Sequence, residues 1–184
     1  IIIKLRNLNE LITYDGCTDK TTISESKSIL ESELLVDFIV LENEERIKYL
    51  EAKNQIYLIN QVQHLTQTFN ASQTVVNVSL KPFKYPITEL LWVFRSTANK
   101  DRNQYFNYSN GTLNDSANLS FFSKMKLNFD GRERINNLDS EFFSELEPGK
   151  HHRNVVPFSR INTYSFSLDP VNFAQPSGSC NFSG

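Results

Sequence analysis

Cysteine is almost missing. Cys17 and Cys180 are the only two in 184 residues. Two thiols at opposite ends of the sequence cannot make the cross-link framework of a small secreted domain, and they read as free thiols of a reducing compartment. No apolar run approaches the roughly 20 residues of a membrane-spanning helix, and no stretch reads as a secretory leader. An excess of one charge is missing too. Nineteen Lys and Arg face 21 Asp and Glu, for a net charge of −2, so nothing suggests an electrostatic grip on nucleic acid. G-x-S-x-G, P-loop and Cys-x-x-Cys motifs are absent, and no base is placed near a Ser or Thr in the sequence. No cofactor is implied. Ala and Met are scarce. What is abundant is aromatic: 14 Phe and 7 Tyr favour sheet over helix, in a chain long enough for one domain with a core.

Alternation supplies the strands. Leu34–Leu41 carries Leu34, Val36, Phe38 and Val40 on one face and a mostly apolar second face. Gln55–Gln63 and Val75–Phe83 follow, the latter with Val76, Val78 and Leu80 inward. Ile87–Arg95 is apolar on both faces and predicts a strand covered on both sides. Met125, Leu127 and Phe129 alternate with Lys124, Lys126 and Asn128, and Asp130-Gly131 makes a tight turn. The charges of Asp130 to Arg134 read as a solvated turn with an Arg–carboxylate pair holding the next loop. Two short helices are predicted. One covers residues 44–52, capped by Asn43, with Ile47 and Leu50 inward. The other is capped by Asp139 or Ser140, turns Phe142, Phe143 and Leu146 inward, and ends at Pro148-Gly149. No strand–helix–strand rhythm runs through the chain, so an antiparallel all-β sandwich is the natural class.

Residues 96–120 form a long polar insertion without periodicity, of the kind that is functional or disordered. It is expected to project from one end of the sandwich, with Tyr105, Phe106 and Tyr108 available for contacts to a neighbouring loop. Asn-x-Ser/Thr sequons stand at Asn70, Asn77, Asn107, Asn110, Asn114, Asn118 and Asn181. The four in the insertion, Asn107, Asn110, Asn114 and Asn118, are the candidate glycosylation sites. An Asn- and Ser-rich loop also makes sequons by chance, and that reading is favoured. His151-His152 beside Glu145 and Glu147 invites a metal. Adjacent histidines on extended chain point to opposite sides, however, and His64 is the only other one. A packing or hydrogen-bonding role is the expectation, with no catalytic and no metal residue assigned.

The last stretch, Ile161 to Ser183, is organised as strand, long turn and next strand. Tyr164, Phe166 and Leu168 share one face, Thr163, Ser165 and Ser167 the other, and Asp169-Pro170 and Gln175-Pro176-Ser177-Gly178 break the chain. Its wording resembles the C-terminal signature YSFxLxPxxxQPSGxCNFS of the major capsid proteins of large icosahedral double-stranded DNA viruses, the phycodnavirus, iridovirus and mimivirus lineage. Three more stretches agree in order. They are Val36 to Leu41 running to Glu45-Arg46, then Pro86 to Val93, then Leu127 to Arg134 with Leu146-Glu147-Pro148 and His151-His152 behind it. The resemblance covers roughly residues 34 to 183.

The resemblance implies the second jelly roll of a double jelly-roll protein. Residues 1–12 would be the last strand of the preceding roll, with a turn at Asn7-Leu8-Asn9; 13–33 a linker or loop; and 34–184 the C-terminal roll. In the resembled family two further strands follow, so the chain is expected to be incomplete there and, expressed alone, insoluble or molten. Expected partners are its own copies in homotrimeric, pseudo-hexagonal capsomers and neighbouring capsomers, minor capsid and penton proteins, and an internal viral membrane on the inner face, with no direct nucleic-acid binding. The expected place is the capsid shell of a virion assembled in host cytoplasm. The alternative is a jelly-roll carbohydrate-binding module using Tyr105, Phe106 and Tyr108. A cupin-like metalloenzyme comes third.

Overall fold

The computed structural model describes residues 4, 6, 8–11, 31–52, 54, 58–111, 120–152 and 160–183. In chain order they hold helical turn α1 (Leu8–Leu11), helix α2 (Asn43–Glu51), strands β1 (Pro86–Ile87) and β2 (Glu89–Trp92), and short helix α3 (Thr97–Asp101). Strands β3 (Lys124–Phe129) and β4 (Arg132–Asp139) follow, then a π-helical turn (Phe142–Leu146) running into α4 (Glu147–His151), then β5 (Asn162–Ser165) and β6 (Cys180–Asn181).

Three two-stranded antiparallel ladders are formed: β1 with β6, β2 with β5, β3 with β4. Two of them join elements far apart in sequence, so the C-terminal signature folds back onto residues 86–92. The third is a local hairpin. Met125, Leu127 and Phe129 face inward as the alternation requires. Asp130 and Gly131 both take positive φ, 47° and 74°, giving the two-residue turn whose twist matches its strands. Register shifts on either side of Leu127 mark bulges in the ladder.

The core sits where the hairpin, the helical segment and β5 meet. Leu127, Ile135, Phe143 and Tyr164 are buried, with Leu90, Trp92, Phe122, Met125, Phe142 and Phe166 packed around them. Phe143 is fully buried. Trp92 approaches it edge-on at 5.4 Å and Phe142 at 5.1 Å. The helical segment is tied to the hairpin by the Ser140 amide, which donates to the Ser123 carbonyl at 3.0 Å.

Several expectations need correction. Leu34–Leu41 and Val75–Phe83 are not strands, and neither is the described part of Gln55–Gln63. Leu35, Phe38, Ile39 and Val40 are exposed, as are Val62 and Val75. Alternating apolar residues decide which face turns inward; a strand also needs a partner edge for its backbone groups, and none lies alongside these segments among the described residues. Ile87–Arg95 is divided between β1 and β2, and Leu91 (61% exposed) and Val93 point outward, so one face only is covered.

In α2 the N-cap is Glu42, not Asn43, and Ile47 and Leu50 are exposed; its support is local, from Glu44 and Glu45 in the first turn and Lys48 in the last. Pro148-Gly149 lies inside α4 rather than ending the helix, because a proline in a first turn removes no required donor. The wider π turn upstream shifts the facing of the side chains, and Leu146 emerges exposed. β5 stops at Ser165, so Leu168 does not continue the Tyr164–Phe166 face.

Residues 8–11, expected to hold part of a strand and its turn, make a helical turn with an Arg6–Glu10 ion pair at 3.7 Å. Of the rest of the 1–12 strand only Lys4 and Arg6 are described, and most of the 13–33 linker lies outside the described residues, as does Cys17; Cys180 is a free thiol. The described residues are β-rich and antiparallel, and their ladders are two-stranded.

Candidate functional site

The C-terminal signature is tied on both sides to residues 85–92. β5 pairs Leu90 with Tyr164 and Trp92 with Asn162. One step on, the Phe166 amide donates to the Thr88 carbonyl at 2.8 Å. β6 closes the other side. The Phe182 amide donates to the Tyr85 carbonyl at 3.1 Å, and the Tyr85 amide to Ser183 Oγ at 2.7 Å. Phe166 then sits among Tyr164, Phe129 and Phe182, with ring centroids 5.1, 5.6 and 5.9 Å away. Such edge-on clusters add about 0.5–1.5 kcal/mol per pair beyond area burial.

The serines of the signature are staples. Ser165 Oγ donates to the Ser167 carbonyl at 2.6 Å and accepts from the Ser167 amide at 3.1 Å. Ser167 Oγ and Ser177 Oγ lie 2.7 Å apart, and Ser177 Oγ accepts from the Asp169 amide at 2.8 Å. Gly178 follows at φ 152°, where an added Cβ would lie 2.5 Å from the Phe166 carbonyl oxygen. The Ser-Gly pair is therefore demanded by close approach of two backbone segments.

Beside the signature, the two adjacent histidines diverge to different carboxylates. His152 Nε2 meets Glu89 Oε1 at 2.6 Å. His151 donates through Nδ1 to the Leu168 carbonyl at 3.1 Å, and its Nε2 lies 3.6 Å from Glu147 Oε2. Glu147 is buried and also faces Lys150 Nζ at 3.5 Å and the Ser165 amide at 3.4 Å. This is a clasp tying α4 to β2, to β5 and to the loop after β5. Among the described residues no group of three or more His, Cys, Asp or Glu is placed to hold a metal. His64 is exposed and near Thr66. In the Asp130–Arg134 stretch, where an Arg–carboxylate pair was expected, Arg134 donates from Nε to the Tyr164 hydroxyl at 3.2 Å, and that hydrogen bond holds its guanidinium above its ordinary pKa.

Over its described residues 96–111, the polar insertion is more ordered than its composition suggests. Ser96 caps α3 by accepting from the Asn99 amide at 3.0 Å. Asn99, Asn103, Gln104 and Ser109 are all buried. Asn107 is a hub: its Nδ2 donates to Gln104 Oε1 and to the Gly111 carbonyl, both at 3.2 Å, and its Oδ1 accepts from the Ser109 amide and hydroxyl at 3.1 and 2.7 Å. Asn110 next to it is exposed, while Asn114 and Asn118 lie outside the described residues. Tyr105 lies under the Arg6 guanidinium at 5.2 Å and Tyr108 under that of Arg95 at 5.9 Å, whereas Phe106 is 87% exposed. The three aromatics are thus not equivalent. The buried carboxamides were missed from sequence; the Ser96–Asn99 cap spacing is the signal that marks the start of this unit.

The described residues form antiparallel two-stranded ladders, and the C-terminal signature is held by ties to β1, β2 and α4. The chain belongs to the family of large eukaryotic DNA virus major capsid proteins, whose model matches residues 45–184. It is 28% identical over 178 residues to the major capsid protein of Pyramimonas orientalis virus, covering 85% of this chain and 40% of that one. It is 29% identical over 175 residues to the major capsid protein of Paramecium bursaria Chlorella virus 1, covering 80% and 38%. The probable capsid protein 4 of Acanthamoeba polyphaga mimivirus is 28% identical over 178 residues, covering 92% and 34%. Among solved structures, a chain of the quasi-atomic PBCV-1 virus capsid superposes with a TM-score of 0.56 at 24% identity, over 78% of this chain and 39% of that one. The resemblance read from the four sequence stretches is borne out, and the chain spans less than half the length of these relatives.

Proposed function

We propose that this chain is the C-terminal jelly roll of a double jelly-roll major capsid protein, which forms homotrimeric pseudo-hexagonal capsomers that tile an icosahedral shell. The observation that carries this reading is the family match over residues 45–184, which includes the whole stapled signature. In this reading residues 1–12 close the preceding roll, 13–33 link the two, and 34–184 contribute to the second. The apolar residues left exposed over 34–41 are what strands look like before neighbouring strands cover them. The protein acts through surfaces, without enzymatic activity: capsomer edges, an outer tower to which the 96–120 insertion belongs, and an inner face towards minor capsid proteins, penton proteins and an internal membrane. It is assembled in host cytoplasm. Of the sequons in the insertion, Asn110 offers a free side chain, while Asn107 is committed to its hub.

The test is the solution mass of the full-length polypeptide by size exclusion with light scattering. A stable trimer is expected; a monomer that binds oligosaccharide would favour the carbohydrate-binding reading. Protease treatment of intact particles should cut first within residues 96–120. Protection there with cleavage elsewhere would remove that loop from the outer surface.

A further inference from the structure

We propose that Asn110-Gly111 is a self-modification site: the Asn110 carboxamide closes onto the Gly111 nitrogen as a succinimide, which opens in water to aspartyl and isoaspartyl forms and loosens the Asn107 hub. The property belongs to residues 107–111 and holds whatever the complete polypeptide does.

Asn110 is the only asparagine in the sequence followed by glycine. Ring closure needs the nitrogen of the next residue to reach the side-chain Cγ, and a glycine, without a Cβ, leaves that approach open. The fold then separates Asn110 from its neighbour Asn107. Both ends of the Asn107 carboxamide are engaged. Its Oδ1 accepts from the Ser109 amide and hydroxyl at 3.1 and 2.7 Å, and its Nδ2 donates to Gln104 Oε1 and the Gly111 carbonyl, both at 3.2 Å. The Asn107 Cγ can turn towards the Tyr108 nitrogen only by breaking these bonds. Asn110 is exposed, and its carboxamide has no hydrogen-bond partner among the described residues. The attacking nitrogen, the Gly111 amide, reaches Ser109 Oγ at 3.4 Å, the long limit of a hydrogen bond. The electrophile is free and the nucleophile is weakly held.

The step uses water and hydroxide alone. Hydroxide takes the Gly111 N–H proton, and the nitrogen attacks the Asn110 Cγ. The new N–C bond forms, the bond from Cγ to Nδ2 breaks, and Nδ2 takes a proton from water and leaves as ammonia. Water then adds to a ring carbonyl. Opening at Cγ gives an aspartyl residue at position 110; opening at the former backbone carbonyl gives the isoaspartyl linkage, with the chain running through Cγ. Nothing is oxidised or reduced. Either product adds a negative charge. The isoaspartyl form also adds a methylene to the backbone just before Gly111, which carries the Gly111 carbonyl away from Asn107 Nδ2. Loss of the carboxamide nitrogen removes the atom that would bear a glycan, so deamidation and glycosylation exclude each other at this residue.

The experiment ages the unglycosylated full-length protein, folded and in urea, and maps its peptides by mass for exchange of NH2 by OH, with isoaspartyl methyltransferase labelling of the product. In the folded protein we expect Asn110 to convert at close to its rate in urea, faster in alkaline than in acidic buffer and with isoaspartyl labelling, while Asn107 converts only in urea. Gly111→Ala should slow conversion on the order of tenfold, because a Cβ obstructs the attacking nitrogen. Amide hydrogen exchange at Ser109 and Gly111 should quicken as the wild-type protein converts, and stay unchanged in Asn110→Ala aged alongside. Asn110 protected in the folded protein but converting in urea would overturn the proposal. So would Asn107 converting as fast as Asn110 in the folded protein, a Gly111→Ala rate equal to wild type, or exchange that does not change with conversion.

Discussion

Gly178→Ala tests the reason for the signature most directly. The substitution adds one methyl group. At φ 152° that methyl occupies a backbone region L residues avoid, and it lies 2.5 Å from the Phe166 carbonyl oxygen and 3.2 Å from the Ser167 Cα. Neither neighbour is a flexible side-chain tip, so relief requires moving backbone. Backbone strain at such a position costs roughly 1–3 kcal/mol. Retreat of the loop also breaks the Ser177 contacts to Ser167 and Asp169, at about 1 kcal/mol each. The sum is about 3–5 kcal/mol, a large share of the roughly 5–15 kcal/mol that stabilises a domain. Gly131→Ala is the internal control. It too has positive φ, 74°, but no atom lies within 4 Å of its added Cβ, so only the left-handed penalty of about 1–2 kcal/mol applies. Urea denaturation of the two full-length variants gives the comparison. Equal midpoints for Gly178→Ala and Gly131→Ala would refute the close-approach argument, whatever the absolute values.

Phe143→Ala empties the one large side chain that is fully buried among the described residues, and should lower stability by about 3–5 kcal/mol in the same assay. Asn107→Ala should loosen the 96–111 unit, seen as faster amide hydrogen exchange at Ser109 and Gly111, whereas Asn110→Ala should leave exchange unchanged. Tyr164→Phe removes the acceptor for Arg134 at a part-exposed site and should cost no more than about 1 kcal/mol by denaturation, with the ring packing against Phe166 retained.

The family was legible from the wording of four stretches, because a signature is a record of residues whose identities are fixed by contact. Why those residues are fixed was not legible. Ser165, Ser167, Ser177 and Gly178 read as turn formers, and only the folded chain shows that they lie against one another. Short-range features could be read because their causes are local. The β3–β4 alternation and its Asp130-Gly131 turn depend on the pleat and on two φ angles. Burial of Phe143 followed from its place beside Phe142 in a helical segment. Lateral pairing could not be read. Leu34–Leu41 has the composition of a strand, and β1, two residues long, has almost none, yet the second is a strand because Cys180 and Asn181 lie beside it. The order within residues 96–111 was invisible for the same reason: Asn99, Asn103, Gln104 and Ser109 look solvated in sequence but are buried with partners inside the unit, Asn99 reaching the Ser109 carbonyl, Asn103 bonded by Tyr105, and Gln104 and Ser109 by Asn107. The sequence by itself determined the family, the Asp130-Gly131 turn and the inward faces of β3 and of Phe142–Phe143, which, the family apart, depend on residues a few positions apart. Which edges meet, which serines become staples and which apolar residues stay outside was decided by the tertiary structure, since hydrogen bonds between segments exist only once both segments are in place.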